Sequence, residues 1–351
     1  MKFVMNDKYN VPKIQQLKMI RLLLMGFWHR FCKPTQSTIA FLLMTLITTN
    51  VYGQKKFKIT LLGTGTPAPS IERFGSSTLI EAGSETLLFD VGRGTTQRLW
   101  QLGIPLRQVT DVFLTHFHSD HTVGLPDLWL TGWLPAAFGQ RVKPLHIWGG
   151  HGVKRLTKNL QKAYQTDIKM RIADEKLSLP GASLVSKEIH EGVVYERNGV
   201  KVTAFNVDHG KAIRPALGYR IDYNGHTVVI SGDTRVCDNL LHFAKGADVL
   251  IHEVAAAKVE LLNTSKFFRR VIAHHTTPEE AGMIFESVKP KLAVYSHLVL
   301  LGSPTISTPT IAEVVALTRK NYSGQLEIGE DLMTLEISDT ISVRRFAAIT
   351  D

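Results

Sequence analysis

Beyond residue 53 the apolar positions fall in short dense runs, each bounded by turn-forming residues, which is the pattern of strands buried on one or both faces. Phe57–Leu62, Val109–Leu114, Leu145–Trp148 and Val200–Val207 are predicted strands of this kind. Thr78–Glu81 and Thr86–Asp90 flank Ala82-Gly83-Ser84, and Gly218–Tyr223 and Thr227–Ser231 flank Asn224-Gly225, so both pairs predict hairpins. Helical spacing appears over Thr95–Leu102 and Val153–Gln165. Thr277-Pro278-Glu279-Glu280 joins a capping box to a proline at the first helical position, so a helix starts there. Asp248–His252 and Leu292–Tyr295 are apolar strands, each expected to follow a helix, and Met333–Ile337 with Ser342–Phe346 closes the chain as a hairpin. Strands alternating with helices, without an internal repeat or low-complexity linker, predict a single α/β domain over residues 54–351.

The first 53 residues read differently. Basic residues up to Lys33 precede an uncharged stretch from Pro34 to Gln54 whose apolar centre is Ile39–Ile47, and the segment ends on Val51-Tyr52-Gly53. That order is the pattern of a secretory leader cleaved after Gly53. The apolar run is short for a bilayer span, which needs about 20 residues. Periplasmic or secreted localisation is therefore expected, with an uncleaved membrane anchor as the alternative. Cys32 falls in the leader, which leaves Cys237 alone and without an internal disulfide partner.

The leader also accounts for most of the charge. The whole chain carries +10, but residues 1–53 hold seven basic side chains against one acid, and the remaining 298 residues hold 34 against 30. A body at +4, with no long basic run, gives a nucleic-acid partner no positive support. A small-molecule ester or other anionic substrate is the expected partner, and a homodimer is left open.

Histidine, at 14 residues, is over-used and unevenly placed. Thr115-His116-Phe117-His118-Ser119-Asp120-His121 follows directly on the strand Val109–Leu114. His116 and His118 are two apart, so extended backbone sends both to one side, while Asp120 and His121 follow where the chain turns. Imidazole and carboxylate together suit Zn²⁺, with Mn²⁺ or Fe as alternatives. Four dispersed residues also sit after predicted strands or at the predicted helix start: His209, Asp233, His275 and His297. Two ions about 3.5–4 Å apart would share a hydroxide, and a carboxylate between them, the natural task of Asp233, would offset their repulsion. His29, His146, His151, His190, His226 and His242 have no comparable setting.

These motifs resemble those of the metallo-β-lactamase superfamily, in the branch of ribonuclease Z-like and arylsulfatase-like hydrolases. The resemblance runs through Leu62-Gly63-Thr64-Gly65-Thr66-Pro67, Leu88-Phe89-Asp90-Val91-Gly92, the His116–His121 cluster, Val207-Asp208-His209, Ser231-Gly232-Asp233-Thr234, His252-Glu253, His275-Thr276-Thr277 and Ser296-His297. It implies an αββα sandwich and two zinc ions. His116, His118 and His209 would hold one ion, Asp120, His121 and His297 the other, with Asp233 bridging. Asp120 would orient a bridging hydroxide or take its proton. His275 would assist the leaving group, supported by Glu253, since a carboxylate behind an imidazole favours its protonated form.

Two departures bear on the substrate. Ribonuclease Z enzymes usually carry a long tRNA-gripping arm between the residues equivalent to His209 and Asp233, and the 24 positions here are mostly used by strands. Leu298-Val299-Leu300-Leu301 follows His297 without the serine and arginine often seen there. The expected activity is an exported dinuclear zinc hydrolase of phospho- or sulfo-esters (a phosphodiesterase or arylsulfatase). The alternatives are a β-lactam or lactone hydrolase, a ribonuclease Z lacking the arm, and a metal-binding relative without turnover. Trp129, Trp133, Phe138, Trp148 and Tyr195 are expected mainly in the core, with an apolar pocket as the second reading.

Overall fold

The computed structural model describes residues 57–346. The expected leader, and with it the export signal, lies outside the described residues. Among those residues no helix is long and apolar enough to cross a membrane.

Alternation within the strands builds the architecture. In β1 (Phe57–Gly63) the side chains of Phe57, Ile59 and Leu61 enter one core and Leu62 enters another. In β2 (Ser77–Ala82) and β3 (Glu85–Phe89), Ile80, Leu87 and Phe89 point to the first core, while Leu79 and Leu88 point to the second. A strand covered on both faces reads as a continuous apolar run, which is why these segments were conspicuous in the sequence. With β4 (Asp111–Phe113), β5 (Leu145–Gly149) and β6 (Leu184–Glu188) they form one sheet, completed by two strands near the C-terminus.

The second sheet contains β7 (Gly192–Arg197), β8 (Val200–Asn206), β9 (Leu217–Tyr223), β10 (His226–Ile230), β11 (Val249–Ala257), β12 (Leu292–Leu301) and β13 (Leu326–Ile328). The closing hairpin, β14 (Thr334–Ile337) and β15 (Ile341–Arg344), joins the first sheet beside β1. Side chains from both sheets share the central core. Helices Thr95–Gln101, Leu125–Trp133 and Val153–Ala163 pack outside the first sheet through Leu99, Leu128, Trp129 and Val153. Helices Asp238–Ala244, Pro278–Val288 and Ile311–Thr318 cover the second through Leu240, Phe285 and Val314. This is the expected αββα sandwich.

The direction of the strands gathers the site. β8 and β10 each run antiparallel to β9, and β10, β11 and β12 run parallel. The carboxyl ends of β8 and β10 therefore share an edge, which is where His209 and Asp233 lie. Further along β11 and β12 the register slips. His252 pairs with Tyr295 and Val254 with Leu298, so Glu253 alone faces Ser296 and His297. Such a bulge re-aims side chains, and His297 adopts the left-handed conformation at φ 46°.

Several sequence expectations need correction. The helix expected over Val153–Gln165 ends at Ala163, and a second helix, Gln165–Asp174, follows without a real linker. Asp248–His252 and Leu292–Tyr295 continue as ladder beyond the bulge to Ala257 and Leu301. His297 is thus inside a strand rather than after one. Asp120 and His121 sit in the short helix Ser119–Thr122. Trp129, Trp133 and Tyr195 are buried in the cores and Trp148 packs against the central one, as the core reading expected.

Candidate metal centre

His116, His118, His209 and Asp233 offer ligand atoms that all lie within 4.8 Å of one another, and so do Asp120, His121 and His297. His116 Nε2 is 2.9 Å from His118 Nδ1, so the two side chains do turn to one side. Asp233 Oδ2 stands between the sets, 3.6 Å from His209 Nε2, 3.8 Å from His116 Nε2, 3.4 Å from His121 Nε2 and 3.5 Å from His297 Nε2. His297 Nε2 is 3.1 Å from Asp120 Oδ2. All seven residues expected as ligands are brought together, and all except His118 are buried.

The donor set fits a divalent metal. The Nε2 atoms of His121 and His209 are buried without a hydrogen-bond partner, and a buried orphan nitrogen needs an explanation. An ion held by imidazole and carboxylate supplies one.

Residues 57–265 match the family model described as "Anti-Pycsar protein Apyc1". Ribonuclease Z of Mycolicibacterium gilvum is 34% identical over 281 residues, covering 80% of this chain and 96% of that protein. The chain belongs to the metallo-β-lactamase superfamily, on its ribonuclease Z-like branch, and to the matched family. It is a metal-dependent hydrolase. The fold is shared with the metallo-β-lactamase fold protein YhfI of Bacillus subtilis, at TM-score 0.62 and 20% identity over 80% of this chain and 99% of that one. It is shared also with the short form of human tRNase Z, at TM-score 0.58 and 23% identity over 80% and 98%.

Burial and mutual charge tune this metallo-β-lactamase-fold site for a cation. Burial pushes His209 down to about 4. Burial and the neighbouring His121 hold His116 well below its ordinary value. Both imidazoles are then neutral at pH 7 and ready to ligate. Burial works against charge on Asp233, but His297 and His121 outweigh it and keep the carboxylate ionised. His121 is opposite in sense: burial opposes its charge, and Asp233 and Asp90 override burial and hold it well above the usual imidazole range. Metal binding would displace that proton.

Sequence reading named the candidate ligands but missed what orients them. Asp90 Oδ2 lies 2.7 Å from His121 Nδ1 and accepts the Thr115 hydroxyl, while Asp90 Oδ1 accepts the Thr115 amide. A carboxylate behind a ligand imidazole fixes its tautomer and raises its basicity. Asp90 is itself held at φ 58°, a region Asp tolerates better than most residues. Its signal was present in Phe89-Asp90-Val91-Gly92, a matching motif to which no role was attached. His209 Nδ1 lies 2.9 Å from the carbonyl oxygen of His274, a backbone contact that no sequence motif encodes.

His275 and Glu253 are also brought together. His275 Nδ1 is 3.1 Å from Glu253 Oε1, and Glu253 is buried. Burial resists charge on this imidazole, but the Glu253 carboxylate prevails and pushes it up to about 9. His275 is within 4.8 Å reach of ligand atoms on Asp233 and His297 as well.

Proposed function

We propose that this protein is a dinuclear zinc hydrolase of phosphodiesters, with His275 as general acid and Glu253 as the residue that keeps it protonated. The observation carrying the reading is the pairing of a cluster of seven His and Asp residues with an imidazole, His275, whose Nδ1 lies 3.1 Å from the buried carboxylate of Glu253. A phosphodiester loses an alkoxide, and an alkoxide needs a proton on departure. Hydrolysis of an aryl sulfate places a weaker demand on such a group, because a phenolate carries its charge more readily than an alkoxide.

When bound, the metal pair would supply a nucleophile at neutral pH and neutralise developing charge on the phosphoryl oxygens. His116, His118 and His209 would hold one ion and Asp120, His121 and His297 the other, with Asp233 between. Asp120 orients the attacking group through its carboxylate and can accept its proton. His275 turns Nδ1 to Glu253, which leaves Nε2 to deliver a proton to the leaving oxygen.

Ribonuclease Z activity is the second reading, favoured by the name and identity of the curated relative. The short interval between His209 and Asp233 is filled here by β9 and β10. It does not set this chain apart from that relative, since a 281-residue match covering 96% of it leaves little room for an unmatched arm. We further propose export, on the leader pattern alone. N-terminal sequencing of protein from its host should begin near Gln54, and intact cytoplasmic chain would contradict it.

The function is tested with zinc-loaded protein on bis-p-nitrophenyl phosphate, p-nitrophenyl sulfate, nitrocefin and a pre-tRNA. Turnover of the phosphodiester, lost on chelation and restored by zinc, is expected. Turnover of nitrocefin or the sulfate alone would overturn the reading. Cleavage of pre-tRNA at a far higher kcat/KM would favour the second.

A further inference from the structure

Beside the metal centre, at the same edge of the sandwich, lies a groove of about 560 Å³, within the range of small-molecule sites. Its wall backs directly onto the ligand-bearing turns. Val207 lines it two residues before His209. Leu217 lines it too, and its amide donates to the carbonyl of Thr115, the residue before His116. His151 and Arg214 line it as well. The Phe117 ring, between His116 and His118, reaches to Gly152 next to His151. The floor, Ile189 and Ala216 with Leu217, is apolar and buried.

The charge around this groove is uneven in one respect. Its acids are already engaged. Glu188 accepts the Gly152 amide at 2.8 Å and lies 3.7 Å from His151 Nδ1. Glu191 accepts from the Asn206 amide and from the Asn206 and Asn239 side chains. Asp208 is bound by Arg235 at 2.6 Å and by the Gly210 amide. Arg214, by contrast, has no hydrogen bond or ion pair among the described residues, and neither has Lys211, in the same loop just after the ligand His209. The net result is an exposed guanidinium without a direct partner at the rim of a nucleoside-sized groove beside the candidate metal centre, acting only at a distance on Asp208, which Arg235 already holds.

We propose that this groove is the subsite for the part of the substrate beyond the scissile phosphorus, and that Arg214 selects substrates carrying a second phosphate there. The inference rests on the phosphodiesterase reading above. Guanidinium matches phosphate with two parallel N–H donors, which Lys211 cannot reproduce. The apolar floor suits the uncharged body linking the two phosphates. One charge-assisted contact of this kind is worth about tenfold in affinity.

The test compares two esters differing only in the second anion: the p-nitrophenyl ester of thymidine 5′-phosphate, and the same ester carrying a 3′-phosphate. With zinc-loaded full-length protein, kcat/KM should favour the 3′-phosphorylated ester about tenfold. In Arg214→Ala that ratio should fall to about one, through KM rather than kcat, and Arg214→Lys should restore only part of it. A ratio unchanged in Arg214→Ala overturns the proposal, even if both esters slow together. Should the wild type cleave neither ester, the phosphodiesterase reading fails separately, and calorimetry still decides the groove. Thymidine 3′,5′-bisphosphate must then bind more tightly than thymidine 5′-phosphate, and Arg214→Ala must remove the difference. Equal affinities in the wild type would sink the subsite.

Discussion

Glu253 Oε1 lies 3.1 Å from His275 Nδ1, and the same oxygen accepts the backbone amides of Thr234 and Thr276. One carboxylate oxygen thus ties together the turn after Asp233, the turn carrying His275 and the bulge of β11. Thr276 reinforces the join by donating its hydroxyl to the Thr234 carbonyl. The imidazole can change its protonation without changing place, because three separate segments hold the group behind it. That is the arrangement a proton donor needs, fixed geometry with a partner that favours the charged form.

The pH dependence follows from that contact. His275 is raised to about 9 against the cost of burial, by Glu253. A general acid works while protonated, so activity that depends on it persists below the raised value and falls as pH rises through it. Glu253→Gln keeps an oxygen for the two amides but removes the charge, and the His275 value should drop towards that of an ordinary imidazole. The alkaline limb of the kcat profile for an alkyl phosphodiester should therefore move to lower pH in the variant. A limb that stays in place would show that another group sets it.

Metal stoichiometry is the next consequence. Seven candidate ligand residues gathered around Asp233 Oδ2 exceed what one tetrahedral ion uses. Elemental analysis of protein saturated with zinc at neutral pH should give two ions per chain. Asp233→Ala should lose the pair rather than one member, since it leaves two cations facing each other with no anion between them. A single ion per chain in the wild type would contradict the dinuclear arrangement.

Asp90 offers a separation of ligand from support. Asp90→Asn retains hydrogen-bonding capacity towards Thr115 but no longer draws the proton on His121 Nδ1 with a full charge. Support of this kind behind a ligand is worth about 10–100-fold in metal affinity. Competition with a chelator should show weaker zinc binding at one of the two positions, with the other little affected. Equal weakening at both would instead point to a change in the loop shared by Thr115 and His116.

The site was legible from sequence to an uneven degree, and the reason is physical. His116, His118, Asp120 and His121 sit within six positions, so their chemistry shows in a short window. His209, Asp233 and His297 were legible because β8, β10 and β12 are apolar runs that end or bend at a polar residue. The register slip between β11 and β12 was not legible. It arises from pairing one residue, Glu253, against two, and neither strand alone contains that information. The same holds for the His209–His274 contact, which depends on a main-chain carbonyl whose direction is set by tertiary packing. The break between the helices Val153–Ala163 and Gln165–Asp174 was hidden because no glycine or proline marks it.

The leaving group provides the sharpest test of His275. A poor leaving group departs as a strongly basic alkoxide, and protonation in the transition state removes that charge. Help of this kind contributes about 10²–10⁴ in rate. A nitrophenolate carries its charge comfortably and gains little from a proton. His275→Ala should therefore slow alkyl phosphodiesters by orders of magnitude and nitrophenyl esters far less, with zinc content unchanged. The geometry also supplies a competing outcome, since His275 lies within ligand reach of Asp233 and His297. If it ligates, His275→Ala will lose zinc, and both classes of ester will slow with the metal. If zinc stays and both classes slow equally, His275 acts on something common to them, the phosphoryl oxygens, and Glu253 serves to hold a binding cation. Zinc content and the ratio of the two rates, measured on one preparation, distinguish the three roles.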